Sequence, residues 1–318
     1  MQTPITIKAN GKILLTGEYL VMLGAEALAI PLVLGQELVV QANGIQDNLT
    51  WEASDSNGVW FKGEFYLPDI VLIESSDELI GKRLRDLLLA ARSLNKKFLT
   101  ERGALKISTQ LGFDKNWGFG SSSTLISLIA RLAGIDSMRL HRLVSKGSGY
   151  DVACAEATQP LTYKLQKGES VSTPVDFNPP FPEGMSLVYL GIKQNSDIEV
   201  EKFKSLSEYG FQDEIRRITE ISRQVLLEQG QETFIELLKE HETIIGKVLD
   251  KRPVKDSLFP DFKGIVKSLG AWGGDFVLGV TTSGDDYLEN YFRRKSFATI
   301  LPYKDVVVRK DKFQTDSF

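Results

Sequence analysis

Residues 118–134, GFGSSSTLISLIARLAG, constrain this chain more than any other stretch, because its most permissive and most hydroxylated residues stand where an apolar helix begins. Gly118 and Gly120 admit backbone dihedrals and close approaches that side chains forbid. Ser121, Ser122 and Ser123 can cap the helix predicted to follow, whose first N–H groups have no partner within it. Those same N–H groups, at the positive end of the helix, also suit a phosphate. A serine-capped buried helix is the simplest explanation, but one cap needs neither three serines nor two glycines. A phosphate site here would need its own arrangement. No lysine follows the second glycine as in GxxxxGK, and Ser123 stands where GxGxxG has its third glycine.

The rest of the chain reads as mixed α/β. Ile5 and Ile7 flank Thr6 as in a strand, and a second short strand covers Lys12 to Thr16. Residues 27–42 read as apolar structure broken by Pro31 and Gly35, then a strand. LTWEAS and GVWFKGEF, separated by DSNG, suit a hairpin. From Glu78 to Lys97 the pattern predicts a helix, with Leu79, Leu84, Leu87, Leu88 and Ala91 as its apolar stripe. GALKISTQL predicts a strand. The proline-rich STPVDFNPPFPEGM, near 172–185, marks a domain connection, giving domains 1–178 and 179–318. Beyond it the pattern predicts a strand at SLVYLGIK, helices over 198–229 and 231–249, a helix after Phe262, and a final strand in FATILPYKDVVV.

Composition narrows the function classes. The 318 residues carry 38 Lys and Arg against 42 Asp and Glu, a net charge of −4, so nothing attracts nucleic acid in general. The single cysteine, Cys154, lies in an apolar run and suits packing in a reducing compartment. No run reaches the roughly 18 apolar residues of a membrane helix, and the first twenty residues lack the pattern of a secretion signal. The expectation is a cytoplasmic protein, monomer or homodimer, acting on a small-molecule substrate, with no nucleic acid and no membrane partner.

Three further stretches carry chemistry. In GKILLTGEYLVMLGAEALAIPL, residues 11–32, Lys12 and Glu18 are charged within an apolar, glycine-marked segment. Lys12 either points into water from a strand edge or stabilises charge on a transferred phosphoryl group. Tyr19 either bonds a substrate or is a half-buried structural residue. In SKGSGYDVACAEA, Asp151 enters an apolar segment as a helix N-cap or as the group that orients an attacking hydroxyl. In KSLGAWGGDFVLGVT, Gly270, Gly273 and Gly274 around Ala271 mark a tight turn, against a ligand or simply before a strand.

The order of these four stretches resembles the GHMP kinase superfamily of galactokinase, homoserine kinase, mevalonate kinase and phosphomevalonate kinase, and the likeness spans nearly the whole chain. GKILLTGEYLVMLGAEALA, GYDVA and GAWGGD look most like the mevalonate and phosphomevalonate branch. The resemblance implies an α+β fold. Its N-terminal domain would be like the second domain of ribosomal protein S5, and its C-terminal domain would be ferredoxin-like. It implies ATP and Mg²⁺ as cofactors and transfer of the γ-phosphoryl group to an alcohol or an existing phosphate. Gly118, Gly120, Ser121, Ser122 and Ser123 would form the phosphate loop, with Ser122 at the metal. Asp151 would be the catalytic aspartate and Lys12 its cationic partner. Glu18 and Tyr19 would shape the acceptor side, and Gly270, Ala271 and Gly273 would support the phosphate loop.

The sequence departs from that pattern in three places. Leu140 stands where mevalonate kinases carry a metal-binding glutamate, about eleven residues before the aspartate. Trp117 and Phe119 are bulkier than usual, and Trp272 replaces a common third glycine, where an indole would crowd an adenine or phosphate path. Lys8, Lys115, Lys146, Arg139 and Arg142 are available for a phosphorylated acceptor, and His141 reads as a structural helix residue. Alternatives are a sugar or amino-acid alcohol kinase, a diphosphomevalonate-decarboxylase-like enzyme, which Lys12 disfavours, and a nucleotide or metabolite sensor without turnover.

Overall fold

The computed structural model describes residues 3–42, 47–100, 103–181, 183–192, 196–206, 210–272 and 274–309. The chain divides into two compact units, neither continuous in sequence. Unit 1 comprises Met1–Gly11, Leu34–Lys115 and Phe119–Glu156, and unit 2 comprises Lys12–Val33, Asn116–Gly118 and Ala157–Phe318.

The chain opens with two long strands, β1 (Ile5–Thr16) and β2 (Ala27–Ala42), which pair with each other and run through both units. The sequence suggested two short strands for β1 and a break within β2. Instead each is continuous. Proline is tolerated at a sheet position where no ladder N–H is needed, and the Pro31 carbonyl accepts the Val308 N–H at 2.9 Å. Gly35 is required because a Cβ there would strike the Ala9 carbonyl of β1.

In unit 1, β3 (Asn48–Asp55) and β4 (Gly58–Tyr66) form the expected hairpin. They are followed by β5 (Val71–Ser75), α1 (Glu78–Leu94) and β6 (Leu105–Leu111). The sheet order is β5-β4-β3-β6-β2, with β3 and β6 parallel and the other neighbours antiparallel. Asp77 caps α1 by accepting the Ile80 N–H at 3.0 Å. Leu84, Leu87, Leu88 and Ala91 face the core as expected, whereas Leu79 is 62% exposed. Leu79 lies five positions before Leu84, so it falls well round the helix from that stripe. Three helices complete the unit: α2 (Ser121–Ala133), α3 (Ser137–Val144) and α4 (Tyr150–Glu156). Ile126, Ile129, Leu140, Val152 and Ala155 from these helices join Trp51, Phe61, Phe65 and Ile107 of the sheet in one core. Burial of these side chains, at about 25 cal/mol per Å² of apolar surface, fixes where the ends of α2 and α4 lie in unit 1.

In unit 2, β7 (Leu161–Gln166) pairs with the first residues of β2 and with β8 (Glu169–Pro174). After β9 (Met185–Tyr189) come α5 (Ser196–Leu206), α6 (Gln212–Leu227), α7 (Gln231–Leu249) and α8 (Val254–Leu258). The chain then forms β10 (Ile265–Ser268), β11 (Phe276–Val280), α9 (Gly284–Arg294), β12 (Ile300–Pro302) and α10 (Tyr303–Val306). The order β10-β11-β9-β12, all antiparallel, with helical crossovers after β9 and β11, is the ferredoxin-like arrangement expected. Val188, Phe259, Phe262, Val266, Val277 and Phe292 form its core. The helix expected after Phe262 is instead strand β10. All four of its residues are buried, Lys267 included, so no alternation of apolar and polar residues reveals the strand.

Among the described residues, no helix is long and apolar enough to cross a membrane.

Candidate active site

In unit 1 the glycine-serine stretch enters α2 through Gly120, its N-cap, in the left-handed region (φ 97°, ψ 37°). No side chain caps the helix. The expected serine caps do not form because all three serines already lie in the first helical turn. From there Ser123 Oγ reaches back to donate to the Gly120 carbonyl at 2.8 Å. Thr124 Oγ1 bonds Gln36 Oε1 at 2.7 Å, pinning this turn to β2. Ser123 is buried, Ser121 half-buried and Ser122 exposed. A thirteen-residue helix therefore begins from a glycine N-cap, and among the described residues no side chain is seen to cap its first N–H groups, in the manner of an anion site.

Asp151 lies in the first turn of α4, half-buried, and its Oδ1 accepts the Val152 N–H at 3.1 Å. A negative side chain is favoured there by the helix dipole. Val152 and Ala155 anchor α4 in the same core as α2. His141 of α3 is buried. Burial pushes its pKa below the ordinary histidine value, while the charge of Asp151 pulls it upward and Arg142 adds to the depression. Of the basic residues considered for a phosphorylated acceptor, Lys8 pairs with Glu37 at 3.2 Å and Lys115 lies 5.0 Å over the Trp60 ring.

In unit 2, Lys12 Nζ donates to the Gly118 carbonyl at 2.8 Å, so two of the expected site residues meet directly. Gly118 has φ 26°, and a Cβ on it would collide with the carboxylate of Asp275. A side chain is thus excluded twice over. Trp117 packs against Phe276 at 5.3 Å and Tyr189 at 6.1 Å. In unit 1, Phe119 packs edge-on to Phe113 at 5.7 Å. The two bulky residues flanking Gly118 therefore anchor their segments.

Tyr19 donates its hydroxyl to the Ala271 carbonyl at 2.8 Å, joining two more of the expected residues. Burial raises its pKa far above the ordinary value, helped by the charges of Glu199 and Glu18. Gly270 has φ 61°, and Gly273 lies outside the described residues. Trp272 is 2% exposed, with Gly246 of α7 against its ring edge. Its indole is packed in the interior of unit 2.

Glu18, expected beside the acceptor, is 1% exposed. Its Oε1 pairs with Lys267 Nζ, which also donates to the Ser268 carbonyl at 2.9 Å. His241 Nε2 accepts the Gly17 N–H at 2.9 Å. Burial, with the charge of Lys267, pushes His241 below its ordinary pKa against the pull of Glu18, whose Oε2 lies 3.1 Å from the same Nε2. Glu18 is itself held below the usual carboxylate value. Its burial acts upward, and Lys267 and His241 outweigh it. Glu242 lies 3.8 Å from the same ammonium, and burial pushes its carboxyl up to about 8 against the attraction of Lys267. Sequence reading missed Lys267, His241, Glu242 and Asp275. A lysine within the otherwise uncharged GIVKSLG was the visible hint of the first.

No family model and no curated protein sequence matches this chain. Solved structures do match over nearly its full length. Mevalonate kinase of L. major, in complex with R-mevalonate, is 17% identical, with 97% of this chain and 99% of that one covered at a TM-score of 0.69. Phosphomevalonate kinase of Streptococcus pneumoniae, with phosphomevalonate and AMPPNP, is 16% identical over 94% and 98%, at 0.69. Galactokinase of Lactococcus lactis, with galactose, is 11% identical over 96% and 94%, at 0.65. The chain therefore has the GHMP-kinase fold, and no single branch stands out.

Proposed function

We propose that this chain is an ATP-dependent phosphotransferase of the mevalonate or phosphomevalonate kinase type. It would transfer the γ-phosphoryl group of ATP to an alcohol or phosphate of a small molecule. The observation that carries the reading is the start of α2, where a left-handed glycine leads into three serines whose N–H groups no side chain caps. This observation stands on a chain with the fold of known small-molecule kinases. In this reading residues 1–178 and 179–318 act as the two functional domains.

Phosphoryl transfer asks a protein mainly for positioning and for positive charge near the transferred oxygens. The N–H groups of Ser121 to Ser123 supply fixed donors for phosphate oxygens. Lys12 supplies the mobile cation, already oriented by its bond to Gly118. Asp151 accepts the hydrogen bond of the acceptor hydroxyl and turns its oxygen toward the phosphorus. Glu18 belongs to the acceptor side, from beneath the surface. Gly270, Ala271 and Gly273 support the phosphate loop.

Among the described residues no group of three or more His, Cys, Asp or Glu side chains is arranged to hold a metal ion. The exposed Ser122, in the first turn of α2, would be the protein contact of a Mg²⁺ ion carried by the nucleotide. When bound, the ion would neutralise phosphate charge.

The test is to incubate the purified chain with ATP and Mg²⁺, offering mevalonate and phosphomevalonate separately, and to follow ADP together with the new phosphate ester. Stoichiometric ADP and ester establish the activity and name the acceptor. ADP with inorganic phosphate and CO₂ would indicate a decarboxylase instead. No product from either acceptor would remove the mevalonate-type assignment.

A further inference from the structure

Four consecutive residues of unit 2 are each tied to a side chain or carbonyl between 206 and 252 positions away in sequence. Thr16 Oγ1 shares a 2.7 Å hydrogen bond with Ser222 Oγ of α6. The Gly17 N–H donates to His241 Nε2 of α7, Glu18 pairs with Lys267 of β10, and the Tyr19 hydroxyl donates to the Ala271 carbonyl. The corner they hold is strained. Tyr19 has φ 61° and ψ −51°, and the Leu20 N–H donates to the Glu18 carbonyl at 2.6 Å. That closes a γ-turn of the rare form with positive φ.

A side-chain-bearing residue persists in such a conformation only where its surroundings over-determine it, and such residues cluster at functional sites. The means of holding it are equally telling. A fully buried lysine–glutamate pair gives little net stability over apolar residues of the same shape, because both charges must leave water. Strain and desolvation here thus oppose stability and serve geometry. That geometry delivers the Tyr19 hydroxyl, its ring braced against Phe203 at 5.3 Å, to a turn in which Gly270 (φ 61°) and Trp272 (φ 53°) are both left-handed.

We propose that Tyr19, His241 and Lys267 are positioning residues, the buried network holding the γ-turn in its strained form and the turn's tyrosine fixing the Gly270–Trp272 backbone for the nucleotide. The nucleotide's place here rests on the phosphotransferase reading, whereas the coupling itself lies within unit 2. It assigns Tyr19 to the ATP side through Ala271, and not to direct contact with the acceptor.

Tyr19→Phe keeps the ring against Phe203 and removes only the hydroxyl. The expected result is a rise of about five- to tenfold in KM for ATP, the loss of one hydrogen bond, with the acceptor KM and the melting temperature little changed. A rise in the acceptor KM with that for ATP unchanged would overturn the proposal, and so would no change in either. His241→Leu removes the acceptor for the Gly17 N–H, and His241→Gln returns one. Recovery of the ATP KM in the glutamine variant supports positioning, while equal loss in both counts against it. If His241→Leu fails to fold, Tyr19→Phe decides alone. If the wild-type chain phosphorylates no acceptor, the phosphotransfer reading fails separately. The coupling is then read by amide hydrogen exchange, which should quicken over residues 268–272 in Tyr19→Phe. Unchanged exchange there would refute it.

Discussion

Replacing Glu242 by Gln should change how stability depends on pH, in a direction set by burial. The carboxyl is fully buried, with Ser268 nearby and, among the described residues, no donor at strict hydrogen-bonding geometry to either oxygen. Its surroundings are the Lys267 ammonium, the Glu18 carboxylate and Ser268, with His241 beside it on α7. Its pKa is raised from 4.5 to about 8. Below pH 4.5 the group is protonated in both folded and unfolded chains. Between there and pH 8 the unfolded chain ionises while the folded chain keeps its proton, so stability falls as pH rises. The slope is at most about 1.4 kcal/mol per pH unit, amounting to about 3 kcal/mol by pH 7 and a ceiling of about 5 kcal/mol above pH 8. Glutamine has the same shape and no charge to desolvate, so the variant should lack this slope. The depressed pKa of His241 acts oppositely, removing stability as pH falls through its ordinary 6.5, but it is present in both proteins and largely cancels from their difference. Urea unfolding of the two proteins at pH 5, 6, 7, 8 and 9 measures that difference. It should be small at pH 5, grow in favour of the variant through pH 7, and level off above pH 8. A difference independent of pH would refute the reasoning.

Three further outcomes are expected. Asp151→Asn should lower kcat by about 10²–10⁴-fold while sparing ATP affinity measured by calorimetry, and comparable turnover would remove its catalytic role. Lys12→Met should lower kcat/KM by about 10²-fold or more without unfolding the chain, and an unchanged value would exclude it from the charge stabilisation. Gly118→Ala places a methyl against the Asp275 carboxylate at a strained φ. It should destabilise the fold by about 1–3 kcal/mol, read as a lowered urea midpoint, whereas an unaltered midpoint would show that the segment relaxes freely.

Local pattern revealed the elements whose one face meets water. The β3–β4 hairpin shows alternation around a turn signal, and α1 shows a helical stripe, so both are legible without a structure. Strand β10 was not, because Lys267 sits in its interior and its partner Glu18 comes from a segment far away in sequence. Gly118, Gly120 and the serines announced backbone chemistry, yet the sequence placed the serines as caps. Only the position of Gly120 as N-cap shows that they lie inside the first turn. Glu18 and Tyr19 stood out as polar residues in an apolar segment, but nothing local distinguishes a side chain facing a substrate from one buried on a lysine.

The sequence by itself therefore determined which segments are helices and strands where periodicity meets solvent, and where glycine must relieve the backbone. The tertiary structure decided the partners. Buried charge is tolerated only beside its opposite, and the residues that satisfy Glu18, Gly17 and Tyr19 are brought to them by packing of α7, β10 and the Ala271 turn. A single chain's order of residues does not encode those approaches locally. They exist only once the apolar faces have closed.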